Sequence, residues 1–399
     1  LMISEPLEPG HDEDKRMSEQ ETAVFDPYYV YYKMRQDHPV VREGDGAWQV
    51  ARYDDVRDVL RDSETYSSQV MDPSRENARA PSMLFSDAPV HNRLRKLVGR
   101  TFSPKQIAAQ RNLITGRCEE LMQVMAQEDC TDLITSLAAP LPVTVIAHML
   151  GVTDGDMLEF KRWSDLIFGN IAEILFGDPS DEVKQAGADM DAYFIERIEE
   201  LRKRPERNLL GDLVEEETED GKLSDEELLS FCRLLLIAGN ETTTGLILAS
   251  VRVFHELPET FIQLKDNPVL IPGFVEETLR FYSPFSQTIR RTTRDVELAG
   301  VEISAGDLVT PLIASANRDE KAFDRAGEFI IDRKPNPHLA FGSGVHNCLG
   351  ATLARLEGEI AVSAMTQRLG GISLVEHDPV SLAQFGGPDK LMVNIQPLH

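Results

Sequence analysis

The sequence is short of cysteine, of basic charge and of long apolar runs. Its four cysteines, Cys118, Cys130, Cys232 and Cys348, show no paired spacing. That argues against a disulfide framework and for a reducing compartment. A structural zinc wants four soft ligands, whereas the clustered ones here are only His346 and Cys348. Lys and Arg number 41 against 67 Asp and Glu, a formal net charge of −26. That balance argues against nucleic acid and against an anionic membrane surface as partners. No apolar run approaches the ~20 residues that cross a bilayer, and no signal-peptide pattern opens the chain. A cytoplasmic protein without a membrane anchor is expected.

What is present is enough apolar residue for a large core: 42% of 399 positions. Residues 1–22 are polar and acidic and read as a mobile tail, leaving 23–399 as a single domain. Val40–Arg42 and Trp48–Ala51 flank a Gly-Asp-Gly turn, a hairpin signal, and Asp54–Leu60 reads as a short helix. From Ser67 to Pro89 periodicity is lost; Met83, Leu84 and Phe85 there are candidates to face a ligand or to pack in the core. Residues 91–100 are basic in an otherwise acidic chain. At ~100° per residue His91 and Arg95 share one face, and Arg93, Lys96 and Arg100 gather roughly opposite. The first pair is expected to point inward at a bound anion, and the other three to form an exposed basic patch. Helical patterns continue over 104–150, 154–176 and 181–204.

Two stretches break local rules. Ser224 to Glu227 is a capping box opening a helix of some thirty residues, ~45 Å long, that Pro258 ends. Its centre is apolar all round, yet Gly239, Asn240, Glu241 and three threonines are set into it. Such residues cost up to ~1 kcal/mol each by propensity, and a broken rule in mid-core suggests function. Ala238 and Gly239, one turn before Thr242, are expected to leave a small-walled notch beside its hydroxyl. The second stretch, Phe341–Gly350, bends glycine-rich backbone around Cys348 just before a strong helix start. A thiolate placed there serves as a nucleophile or as a metal ligand.

The Phe341–Gly350 stretch resembles the haem-binding signature of the cytochrome P-450 family, Phe-x-x-Gly-x-x-x-Cys-x-Gly, in its soluble bacterial form. Ala238–Thr242 resembles the same family's oxygen-binding motif, with Glu241 where many members have Asp. Glu277 and Arg280, at i, i+3 between those motifs, match its Glu-x-x-Arg pair. Glu199 and Arg202 share that spacing, and only position selects the first pair. The resemblance spans His91 to Gly350 in family order.

It implies a mainly α fold with a small β-rich part, a long central helix over a Cys-ligated haem b, and a haem-thiolate monooxygenase. Cys348 is then the iron ligand. His91, Arg95, Arg290 and His346 meet the haem propionates, although Arg291 competes with Arg290 for that role. Ala238, Gly239, Phe341 and Gly350 lie against the haem, Thr242 and Glu241 handle oxygen and protons, and Glu277 with Arg280 is structural. Substrate contacts are expected from Met83, Leu84, Phe168, Phe285, Ser286 and Phe385; all but Ser286 are apolar, consistent with a terpenoid, steroid, fatty acid or polyketide. Electrons are expected from NAD(P)H through a ferredoxin reductase and a ferredoxin docking near Arg93, Lys96 and Arg100. Two rival readings keep the fold and change the function: a peroxide-driven peroxygenase, and a non-catalytic haem sensor or carrier.

Overall fold

The computed structural model describes residues 27–42, 46–70, 82–170, 177–217, 221–375 and 390–398, with 44, 173, 174, 219 and 388. The expected tail, Phe385 and the side chain of Phe168 lie outside the described residues. The helices in chain order are α1 (Pro27–Asp37), α2 (Tyr53–Arg61), α3 (Val90–Gly99), α4 (Pro104–Ala109), α5 (Arg111–Met125), α6 (Pro140–Met149) and α7 (Met157–Gly169). They continue as α8 (Asp181–Lys203), α9 (Leu209–Glu215), α10 (Asp225–Glu256), α11 (Pro258–Asp266), α12 (Ile271–Phe281), α13 (Ile313–Ala316) and α14 (Ala351–Arg368).

The strands are β1 (Val40–Arg42), β2 (Trp48–Val50), β3 (Tyr66–Ser67), β4 (Cys130–Asp132), β5 (Arg290–Thr292), β6 (Val296–Leu298), β7 (Val301–Ile303), β8 (Leu308–Pro311), β9 (Leu369–Leu374) and β10 (Met392–Pro397). One five-stranded sheet runs β1-β2-β8-β5-β3, a second runs β4-β10-β9, and β6 pairs with β7. Only the β2–β8 pairing is parallel among these.

The expected hairpin forms, with Val40 opposite Val50. The helical run expected over 104–150 does not hold throughout. Cys130–Asp132 is a strand, registered with Cys130 opposite Asn394. Its partner lies more than 250 residues downstream, so the pairing is tertiary and overrides local pattern.

Helix α10 organises the main core. Ser224 caps it by accepting from Glu227 N at 3.2 Å, while Glu227 Oε2 accepts from Ser224 N at 2.9 Å. Leu257 caps its end, and Pro258 takes the first position of α11, where a missing N–H costs nothing. By length and composition α10 passes as a membrane span, which its sequence did not lead one to expect, but 61% of its most apolar stretch is buried inside the molecule. It packs against α6, α14, α12, α8 and β9, which is core behaviour. The main apolar cluster runs from Leu94 to Ile395, and a smaller one, including Val50, Val59, Ile303 and Val309, lies under the five-stranded sheet.

Glu277 and Arg280 of α12 tie the β-rich part to this core. Both side chains are 0% exposed and joined by two hydrogen bonds, of 2.7 and 2.8 Å. Arg280 also donates to the carbonyls of Asn317, Ala326 and Glu328. Glu277 accepts from Ile330 N, Arg333 Nε and Asn336 Nδ2. Arg202, in the competing Glu-x-x-Arg, instead pairs at the surface with Asp225. Asn317 passes the connection on: its Oδ1 accepts from Leu339 N at 2.6 Å, just before the Cys348 loop.

Candidate functional site

The Cys348 loop is shaped by two left-handed glycines, Gly342 at φ +70° and Gly344 at φ +74°. Any Cβ on Gly344 would stand 2.8 Å from Leu60 O, so glycine is required twice over. The loop is closed by Cys348 N donating to Phe341 O at 2.8 Å and by Asn347 Nδ2 donating to the same carbonyl at 3.2 Å. Arg61 Nε, from α2, holds Ser343 Oγ at 2.9 Å. Behind the loop, Arg355 of α14 sits over the Phe341 ring at 4.4 Å and donates to Glu276, which His338 also contacts. Those two partners hold the Glu276 carboxyl at about 2 against the effect of burial.

Cys348 opens α14, with Gly350 as the cap residue. Burial raises its thiol above the ordinary range; the Gly350 and Ala351 amides and the Arg95 and Arg355 charges pull the other way. A bound cation at sulfur would remove that penalty, because coordination deprotonates a thiol outright.

Beside the loop four basic side chains gather, His91, Arg95, Arg290 and His346. His91 of α3 is 2% exposed and its ring lies 4.1 Å from that of His346. The Nε2 atoms of both are buried without a hydrogen-bond partner among the described residues. His346 is held down to about 4 by burial and by His91, Arg290 and Arg95. Burial also lowers His91 and lowers Arg290 to about 10. Arg290 is 7% exposed, and among the described residues its donors reach Thr288 Oγ1 and Ile289 O. Arg95 spends one donor on Asn347 O at 2.7 Å. Asp87, fixed by Ser67 Oγ and Ser68 N, is the carboxylate acting on His91, Arg290 and His346, and sequence reasoning missed it.

Among the described residues, two orphaned imidazole nitrogens and two arginines lacking a carboxylate partner within bonding distance describe a socket for a dianion. The residues therefore fit a haem, whose two propionates need such partners and whose iron takes the sulfur of Cys348.

Neighbouring strand residues point to opposite faces, and this separates Arg290 from Arg291. Arg291 turns away and donates to Gly306 O and Val70 O. Losing one charge-assisted partner costs ~1.5–3 kcal/mol. Arg290→Gln is therefore expected to weaken haem retention about tenfold or more, and Arg291→Gln to leave it within about threefold. Haem transfer to apomyoglobin measures both.

On α10 the motif residues diverge. Ala238 is exposed in the middle of a buried helix, and Thr242 Oγ1 donates back to its carbonyl at 2.8 Å. The notch expected from Ala238 and Gly239 together is corrected on one side. A Cβ on Gly239 would meet Ile146 Cδ1 of α6 at 2.8 Å, so Gly239 serves helix–helix packing, and Ala238 with Thr242 lines the open strip. Asn240 Nδ2 donates to Ser164 Oγ of α7 at 2.7 Å. Thr244 donates to Ala138 O. Burial, with Asp165 nearby and Lys161 opposing, raises Glu241 to about 7.

Thr243 reaches Glu357 of α14, which sequence reasoning also missed. Its apolar neighbours Leu356, Gly358 and Ile360 were the available signal. Burial raises Glu357 to about 8, and its Oε1 has no partner among the described residues. The folded state thus holds this proton more tightly than the unfolded chain. The resulting stability is complete below the ordinary glutamate range and is lost as pH rises through about 8. Glu357→Gln is expected to flatten the decline in Tm between about pH 5 and about pH 9, as read by thermal scans.

The expected substrate residues are scattered. Met83 packs on the main core, Leu84 is exposed, Phe285 packs against the smaller cluster, and Ser286 is half-buried with its carbonyl accepting from Ala314 N. The expected basic patch is altered too. Arg93 pairs with Glu227, Lys96 with Glu219 and Arg100 with Glu216.

The model of the family described as cytochrome P-450 matches residues 262–373. The chain is 39% identical over 364 residues to the putative cytochrome P-450 YjiB of Bacillus subtilis, covering 90% of this chain and 91% of that one. It is 38% identical over 376 residues to the erythromycin C-12 hydroxylase of Saccharopolyspora erythraea, covering 92% and 91%. Among solved structures, cytochrome P-450 CYP109E1 of Bacillus megaterium in complex with testosterone superposes with a TM-score of 0.83 at 35% identity, covering 93% and 99%.

Proposed function

The chain belongs to the cytochrome P-450 family and is a haem-dependent monooxygenase of its bacterial type; we propose that it hydroxylates an apolar molecule of steroid, terpenoid, fatty-acid or polyketide size. The observation that carries the reading is the meeting of the Cys348 loop with the His91, Arg95, Arg290 and His346 cluster, in which both imidazole Nε2 atoms lack a partner among the described residues. Thiolate-ligated haem, when bound, supplies cleavage of O–O and insertion of one oxygen atom into a C–H bond.

The chain's own residues position and protonate. Cys348 presents its sulfur from a loop whose glycines leave it no slack. Arg95 and Arg290 would neutralise the propionates of a bound haem, and His91 and His346, whose burial favours the neutral imidazole, would hydrogen-bond to them. Thr242 keeps its hydroxyl at the open strip, donating to Ala238 O, where it would be free to turn to a bound oxygen. Glu241, at about 7, both holds and releases a proton near neutrality, the range a general acid needs. Electrons arrive from NAD(P)H through a ferredoxin reductase and a ferredoxin, which docks at the basic side of α3.

The relatives' names support the apolar substrate class. One is an erythromycin hydroxylase, and another was solved with testosterone bound. Titrating the ferric protein with testosterone, a long-chain fatty acid and a macrolide tests this. At least one class is expected to displace water from iron and shift the spin state. No shift with any of the three contradicts the substrate reading.

A further inference from the structure

The outer face of α3 and its cap residue Arg100 carry three cations, and each meets a carboxylate from one short connection. Glu216 caps the end of α9, Glu219 follows, and Glu227 lies in the first turn of α10. Arg100 meets Glu216 at 2.7 Å, Lys96 meets Glu219 at 2.6 Å, and Arg93 meets Glu227 and the carbonyl of Lys222. The inner pair is anchored, because Glu227 is also the capping-box residue and is only 11% exposed. Of the outer two, Lys96–Glu219 is open to solvent on both sides, at 43% and 82%, whereas Arg100, 67% exposed, meets a Glu216 that is 19% exposed.

We propose that Glu216 and Glu219, between α9 and α10, act as an acidic strap, which occupies the α3 face from within the chain and competes with an acidic electron donor for it. The inference rests on the docking reading above. In a chain of net charge −26 an acidic donor is repelled at long range, so a local cationic face has to be available. The strap supplies the same chemistry the donor would bring, carboxylates on Lys96 and Arg100. Exposed pairs of this kind are individually weak and screened by salt, so the strap is displaceable. Both of its ends are held by helices, so it re-forms when the donor leaves.

The test measures the Kd of the ferric holoenzyme for an acidic [2Fe–2S] ferredoxin by calorimetry at low ionic strength. Four proteins are compared: wild type, Glu216→Gln/Glu219→Gln, Lys96→Gln/Arg100→Gln, and Glu217→Gln/Glu226→Gln. The last removes the same charge from the same neighbourhood. Its carboxylates lie off α3, since Glu217 pairs with Lys222 and Glu226 is an exposed first-turn residue of α10. The strap variant is expected to bind at least about threefold tighter than the Glu217/Glu226 control, and the advantage to fade with added salt. Equal tightening in both overturns the strap and leaves only long-range charge. Weaker binding by the Lys96/Arg100 variant with an unchanged strap variant also overturns the strap, while the docking face survives. No weakening in the Lys96/Arg100 variant overturns the docking reading and the strap with it.

Discussion

Arg280→Ala is expected to destabilise the protein by about 3–5 kcal/mol, the cost of leaving a buried charge without its partner. Glu277 would keep a carboxylate at 0% exposure with Arg333 and Asn336 as its remaining side-chain partners. The carbonyls of Asn317 and Ala326 would lose the Arg280 donor at once, while that of Glu328 would keep Arg333 Nη2. A typical domain is stable by only ~5–15 kcal/mol, so much of that margin goes. Urea titration of the variant should show a large drop in midpoint, accompanied by loss of haem, because Asn317 links this node to Leu339 and the Cys348 loop. An unfolding free energy within about 1 kcal/mol of wild type would mean that the node is not what holds the loop.

Loss of proton handling on α10 is expected to give the second large effect. Thr242→Ala removes the hydroxyl that now donates to Ala238 O, and Glu241→Gln removes a carboxyl held at about 7. A positioned acid or base contributes about 10²–10⁴-fold to a rate. Product formed per NAD(P)H is therefore expected to fall sharply in Thr242→Ala, with electrons diverted to peroxide. In Glu241→Gln the turnover rate itself is expected to drop about a hundredfold, and the pH dependence centred near 7 to disappear. Glu241 sits beside Asp165 and Lys161, which hydrogen-bond each other at 2.6 Å. The variant should therefore be compared at matched ionic strength. Unchanged product yield per NAD(P)H in Thr242→Ala would count against the relay.

What could be read in the sequence was whatever obeyed a local rule or conspicuously broke one. The capping box at Ser224 and Glu227 is formed as its spacing requires, because both partners are three residues apart. The glycines around Cys348 announced a turn, and Gly342 and Gly344 do hold positive φ. The two faces of α3 followed from helical geometry alone, with His91 buried and Lys96 exposed.

Less legible were contacts between distant segments. Nothing near Cys130 says that it will lie opposite Asn394 in a sheet. Gly239 looked like room for a ligand and is room for Ile146. Glu357 meets Thr243 because two helices pack side by side, more than a hundred residues apart in sequence. The acids that cover Arg93, Lys96 and Arg100 lie in a stretch which, read locally, is simply solvated charge. Arg290 and Arg291 are neighbours in sequence, and only the pleat of β5 separates their roles.

The claim on which the rest depends is that Cys348 ligates a haem through its sulfur, beside the socket of His91, Arg95, Arg290 and His346. The most direct measurement is the absorption spectrum of the dithionite-reduced holoprotein under carbon monoxide, with Cys348→His as comparison. The wild type is expected to show the strongly red-shifted Soret band of thiolate-ligated haem, and the variant to lose it. A histidine-type Soret band in the wild type would contradict the account.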